Sequence, residues 1–222
     1  MAVRSGSYKV SATPVTVFGH LLFIAVATLV LVWLLTFREG LAFESANKFK
    51  IFNLHPFLMV IGFILIAGEA IMAYKAIPVG RHVQRAVHLT LQAIALGCGI
   101  FGIVAIFKFN DELNIPDMVT LHSWLGMIAI CLFGLQFLLG FFSFVFPGVE
   151  SYSRAAYAPW HIFGGLVIFF LAICTAEMGL LEEFLFLGLF RGQEALIVNF
   201  TGFLLILFAV AVGLSVVLPR GY

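Results

Sequence analysis

Six apolar stretches, each long enough to cross a bilayer, govern what this chain can become. They run approximately 15–37, 51–74, 86–107, 119–146, 160–181 and 195–218. A helix rises about 1.5 Å per residue and a hydrocarbon core is about 30 Å thick, so about 20 apolar residues span it. Inside lipid every backbone N–H and C=O needs a partner within its own segment, so such runs cross as helices. The composition agrees: 63% of the 222 residues are hydrophobic and 10% are charged, far from the values of a soluble domain. The expectation is an all-α bundle of six transmembrane helices, forming a single integral membrane domain over residues 1–222. The first fourteen residues are polar and mildly basic, and the apolar run after them is too long for the core of a cleavable signal, so the first span is expected to be retained.

An even number of spans leaves both termini on one side, and the loop charges indicate which. With the termini inside, the inner segments hold Arg4, Lys9, Lys75, Arg81, Arg85, Arg154 and Arg220. The outer segments hold Arg38, Lys48, Lys50, Lys108 and Arg191, diluted by Glu39, Glu44, Asp111, Glu112, Asp117, Glu182, Glu183 and Glu194. The Lys/Arg bias predicts an N-in, C-in topology. Trp124, Trp160, Tyr74, Tyr152 and Tyr157 fall near span ends, as an interfacial aromatic belt requires. Cys98, Cys131 and Cys174 lie inside apolar runs and read as small buried hydrophobes. No internal repeat or low-complexity segment stands out, and a net charge of +1 gives no reason to expect a nucleic-acid partner.

Four of the six histidines carry the chemistry. His55, His88, His122 and His161 each lie within about two turns of the start of the second, third, fourth and fifth spans. An ionisable group inside a membrane is functional by default, and four in corresponding positions are harder to dismiss than one. Span parity sorts them. The second and fourth spans start outside, so His55 and His122 share a depth near the outer face. The third and fifth start inside, so His88 and His161 share a depth near the inner face. Two imidazoles facing each other across a bundle are what a six-coordinate haem needs from a protein. His20 lacks a level partner and reads as interfacial, and His82 lies in a loop between Arg81 and Arg85. Neither is expected to ligate.

Gly126, four residues after His122, and Gly164 and Gly165, three and four after His161, are expected on the histidine face of their helices, leaving room for a porphyrin. Gly97, Gly99 and Gly102 thin the third span, though glycine also serves close helix packing. A zinc or non-haem iron site would recruit three or four side chains, often carboxylates, and only Glu69 and Glu177 lie within or near the spans. A histidine proton relay would not need matched pairs. Two b-type haems between the second to fifth helices is therefore the reading.

At this point the residues match something known. The chain resembles the cytochrome b561 family of ascorbate-reducible di-haem membrane electron carriers, and is most similar to its plant members. The resemblance is carried by F-N-L-H-P around His55, G-E-A-I-M-A-Y-K from Gly68 to Lys75, V-H-L-T-L-Q around His88, T-L-H-S-W-L-G around His122 and P-W-H around His161. It implies His55 with His122 on a non-cytoplasmic haem and His88 with His161 on a cytoplasmic one. It also implies that A-I-M-A-Y-K belongs to a cytosolic ascorbate site, with Lys75 where animal members have Arg. T-L-H-S-W is similar to the motif near the second substrate site, with Thr120 for the usual Ser. Asn110 and Val119 stand where the family often has His and Tyr, which bears on the outer acceptor.

Ascorbate is anionic at neutral pH, so its site is expected among fixed cations near the inner pair: Arg81, Arg85 and Arg154, with Lys75 and Tyr74 beside them. The outer acceptor, expected to be monodehydroascorbate or a ferric chelate, would meet Lys108, Phe109 and Asn110. The resemblance further implies a homodimer, most plausibly in the vacuolar membrane or another endomembrane. Competing readings are a haem subunit exchanging electrons with a quinone or a partner protein, and a proton-coupled transporter built on the histidines.

Overall fold

The computed structural model describes residues 11–220; Arg4 and Lys9, counted above in the charge bias, lie outside them. Six helices are long and apolar enough to cross a membrane: α1 (Thr13–Phe37), α2 (Phe49–Ala76), α3 (Arg81–Leu113), α4 (Leu121–Phe144), α5 (Ser151–Phe186) and α6 (Gln193–Val217). No strand occurs among the described residues.

The helices begin and end where backbone chemistry dictates, not where hydropathy changes. α3 and α5 run past the expected 86–107 and 160–181, because a polar turn leaving the lipid stays helical until something stops it. Asn114, at φ 55, stops α3 in the left-handed conformation that Asn tolerates. α4 starts two residues later than expected because Thr120 caps it. The Thr120 hydroxyl accepts from the Ser123 N–H, and the Ser123 hydroxyl accepts from the Thr120 N–H, a reciprocal capping box. T-L-H-S-W is thus a helix start, and the cap fixes His122 in the first turn.

α2 is irregular where it matters. Pro56 follows His55 inside the helix and removes a backbone donor. The next stretch, Leu58–Leu65, winds as a wide π-helix that absorbs an extra residue before ordinary winding resumes at Ile66. α1 also ends in a π turn, Trp33–Phe37.

The bundle is built from three antiparallel pairs, α1 with α6, α2 with α3, and α4 with α5. Val26, Val30, Trp33, Leu34, Met72, Leu205, Phe208 and Val212 are fully or almost fully buried where α1, α2 and α6 meet. Glycines permit the close approach that membrane packing relies on. A Cβ on Gly68 would stand 2.5 Å from the Phe208 ring, and one on Gly62 would stand 2.6 Å from the Cys98 Cβ. The three cysteines are free thiols. Leu21, Ile24, Leu135, Leu138, Phe142, Phe163 and Phe203 point outward, as a lipid-facing surface requires. At the end where α1 begins and α6 finishes, the Ala12 N–H donates to the Pro219 carbonyl at 2.7 Å. His20, which has no level histidine to face, meets a carboxylate instead: its Nδ1 lies 2.8 Å from Glu69 on α2.

Candidate redox site

The four span-start histidines meet two by two, in the pairing that parity predicted. The His55 and His122 rings stand 6.0 Å apart, centroid to centroid, with an interplanar angle of 85°. The His88 and His161 rings stand 6.4 Å apart at 71°. One iron held by two opposed imidazole nitrogens at about 2 Å each puts ring centroids about 6 Å apart, so both gaps suit a six-coordinate porphyrin iron. Among the described residues, no group of three or more His, Cys, Asp and Glu side chains is arranged for another kind of metal ion.

Each ring is aimed by its second nitrogen. His55 Nδ1 lies 3.0 Å from the Gly102 carbonyl, His88 Nδ1 2.8 Å from the Ala70 carbonyl and His122 Nδ1 2.8 Å from the Thr175 carbonyl. A carbonyl only accepts, so these rings carry hydrogen on Nδ1 and present a lone pair at Nε2, the form a metal needs. His161 differs. Its Nδ1 faces the side-chain amide of Gln136, with Nε2 of that amide 3.1 Å away and 2.6 Å from the His161 carbonyl oxygen.

The glycines beside the rings are not those the sequence suggested. Gly126 lies against Thr175, and Gly164 and Gly165 lie against the Gln136 amide. The imidazoles rest on glycines of the partner helix instead. A Cβ on Gly179 would stand 2.6 Å from His122 Cε1, and one on Gly140 would stand 2.7 Å from His161 Cε1. Residue order could have revealed them, since Gly140 follows His122 by 18 positions and Gly179 follows His161 by 18. Eighteen residues are five turns, so each of these antiparallel helices carries a histidine at one end and a cradle for its partner's histidine at the other.

The scan against family models matches the description "Eukaryotic cytochrome b561" over residues 54–187, more than half of the chain and all four histidines. This chain belongs to the cytochrome b561 family. Curated relatives of the family cover nearly all of it. The "Probable ascorbate-specific transmembrane electron transporter 1" of Oryza sativa subsp. japonica is 47% identical, covering 95% of this chain and 92% of the relative. The "Transmembrane ascorbate ferrireductase 1" of Arabidopsis thaliana is 45% identical, covering 97% and 90%. The "Transmembrane ascorbate-dependent reductase CYB561" of Ovis aries is 36% identical, covering 88% and 78%. Cytochromes b561 are haem b proteins, and the ring spacing, the Nδ1 anchors and the glycine cradles of this chain fit that group.

In this cytochrome b561 a cavity of about 700 Å³ opens beside the His88/His161 pair, within the range of small-ligand sites. Tyr74, Lys75, Arg81 and Arg85 all line it. Arg81 and Arg85 are exposed, one turn apart at the start of α3, and Arg85 Nη1 donates to the Phe144 carbonyl at 3.1 Å. The Tyr74 ring stands 5.3 Å from His88. Lys75 is partly engaged, its Nζ donating to the Leu218 carbonyl at 2.6 Å. Arg154 is not among the lining residues, and its Nε is buried without a hydrogen-bond partner among the described residues. The sequence reading passed over Arg220, which lines the cavity and donates to the Ile77 carbonyl at 2.5 Å, and the lining amides Gln84, Gln92 and Gln136.

At the opposite end the three candidate acceptor contacts are already engaged. Lys108 Nζ lies 2.6 Å from Glu112 and 3.0 Å from Glu44, and Lys48 also bonds Glu112. Phe109 is buried against Phe49 and Phe52. Asn110 Nδ2 donates to Asp117 at 2.7 Å. Val119, in contrast, is exposed.

Proposed function

We propose that this chain carries electrons across a membrane from ascorbate to an acceptor on the far side, as an ascorbate-dependent oxidoreductase. The observation that carries the reading is the pair of level histidine meetings, one toward each end of one bundle. In this reading His55 and His122 are the axial ligands of one haem b, and His88 and His161 those of a second. Haem b, when bound, supplies one-electron iron chemistry. The printed names of the rice, Arabidopsis and sheep relatives support ascorbate as the donor.

The residues of the chain do the rest. Arg81 and Arg85 offer guanidinium forks to the enolate and hydroxyl oxygens of ascorbate. Lys75, Tyr74 and Arg220 add donors on the α2 and α6 sides, while Phe137, Phe141 and Phe144 form an apolar wall. There the ascorbate monoanion would give up one electron, to the redox group held by His88 and His161, and one proton, to the adjoining water, and leave as the monodehydroascorbate radical anion. Arg154 supports the positive field of this face from outside the cavity. Positive loops face the cytosol, so this end is cytosolic and the topology is N-in, C-in.

The distance to be crossed follows from α5. His161 lies at one level, and Thr175 and Gly179, which touch His122, mark the other. About 16 residues of helix separate them, roughly 24 Å along the axis and less across a tilted bundle. The acceptor is monodehydroascorbate or a ferric chelate. Because Lys108 and Asn110 are held by carboxylates and Phe109 is buried, an acceptor contact at these residues requires them to leave their present partners. The chain works as a single membrane domain, as a homodimer, in the tonoplast or another endomembrane.

The test is a pyridine haemochrome assay on purified protein combined with ascorbate-reduced spectra. Two haems per chain, reduced by millimolar ascorbate, are expected; one or none overturns the reading. Arg85→Ala should keep its haem and slow ascorbate reduction about tenfold or more, the kinetic equivalent of one charge-assisted hydrogen bond of about 1.5–3 kcal/mol. Unchanged kinetics would remove Arg85 from the substrate site.

A further inference from the structure

Taken together, the Nδ1 partners of the four rings follow one rule with one exception. Gly102 follows His88 by 14 positions, Thr175 follows His161 by 14, and Gln136 follows His122 by 14. Ala70 follows His55 by 15, and the π-helical stretch Leu58–Leu65 between them takes up the extra residue. Fourteen residues are about four turns, so every ligand helix places, at a fixed distance from its own histidine, the group that anchors the histidine of its antiparallel neighbour. At three of these positions the group is a backbone carbonyl. At the fourth it is the Gln136 side chain, the one anchor that a substitution can change without moving the backbone.

The surroundings of Gln136 are built for that amide. Gly164 and Gly165 leave the space it fills: a Cβ on Gly164 would stand 3.5 Å from Oε1, and one on Gly165 would stand 3.4 Å from Nε2. The two ends of an amide are nearly the same size, one donating and one accepting, so either can face the ring in the same space. With Nε2 toward the ring, the amide donates to the His161 carbonyl and serves a ring whose hydrogen is on Nε2. With Oε1 toward the ring, it accepts the Nδ1 hydrogen of a ring that ligates through Nε2, and the amide must give up its donation to the His161 carbonyl and draw away from that oxygen. An acceptor at Nδ1 raises the basicity of a ligating imidazole and steadies its orientation.

We propose that Gln136 is the positioning residue of the His88/His161 site, setting through Nδ1 how strongly His161 donates to its iron and so tuning that haem separately from the other. The proposal rests on the ligand assignment above. Stronger donation favours ferric iron. Removing the acceptor therefore raises the midpoint potential of this haem, and a carboxylate in its place lowers it.

The experiment is a spectroelectrochemical redox titration of purified, haem-loaded protein carrying Gln136→Leu or Gln136→Glu, with low-spin EPR of both haems. In Gln136→Leu, one component should move to higher potential by about tenfold in its reduction equilibrium, which is 59 mV for one electron, while the other stays fixed. Gln136→Glu should move the same component the opposite way. If Gln136→Leu fails to hold that haem while Gln136→Glu keeps both and shows the downward shift, the proposal stands. Unmoved midpoints in both variants, or equal shifts of both components, overturn it. His161→Ala separates this from a failed ligand assignment: if that variant keeps both haems, it is the assignment that falls.

Discussion

His161 and Gly140 illustrate how much can rest on one hydrogen atom in place of a methyl group. A Cβ on Gly140 would lie 2.7 Å from His161 Cε1 and 3.3 Å from Nδ1, so the ring could not keep its place. Gly140→Ala is expected to remove the haem proposed at His88/His161, and Gly179→Ala the one proposed at His55/His122. Haem-to-protein ratios, with the reduced spectrum to identify the surviving centre, check both; full loading in either variant would refute that cradle. The histidines themselves were legible in the sequence, because an ionisable side chain in an apolar run has few innocent explanations. Their cradles were not. Helical spacing relates residues on one helix, which pointed to Gly126, Gly164 and Gly165, whereas the glycines in contact belong to the neighbouring helix. Spacing could place Glu112 beside Lys108, four residues on along α3, but not Glu44, which comes from the chain between α1 and α2.

Among the elements, α2 bears the tightest constraint, because it must present His55 to one site and the Ala70 carbonyl to the other. The π-helical stretch between them reconciles the two tasks. Deleting one residue within Leu58–Leu65, for example Ile61, brings the His55–Ala70 spacing to the 14 residues of the other three ligand helices and lets the segment wind as an ordinary helix with its two flanks still in register. His55 and Ala70 should then still face their partners, and haem content should match that of the parent chain. Loss of haem in that variant would show that the wide turn itself, and not only the residue count, is needed. The existence and order of all six helices could be read from hydropathy, which follows the lipid. The wide turn could not, because Pro56 announces an interruption without saying how the chain repairs it. The ends of α3 and α5 escaped for a related reason: Asn114 and Glu150 set the helix boundaries several residues beyond the apolar runs.

Across the whole molecule, charge is divided by face. The cavity beside His88 is lined by Arg81, Arg85, Lys75 and Arg220 with no carboxylate among its lining residues, whereas at the opposite end Lys108, Lys48 and Arg38 are each paired with glutamate. Attraction between an exposed cationic mouth and an anionic donor weakens as the Debye length falls from about 30 Å at 0.01 M salt to about 3 Å at 1 M. The second-order rate of reduction by ascorbate is therefore expected to fall severalfold over that range, and a stopped-flow series in inert salt measures it. A flat profile would count against the arginines as the site of ascorbate attraction. The close meeting of Ala12 with Pro219 bears on how such a bundle is made. α1 packs chiefly against α6, yet more than 150 residues must be synthesised after Phe37 before Gln193 appears. For most of that interval α1 has only its lesser contacts with α2, including the His20–Glu69 pair, and its main packing face waits for α6.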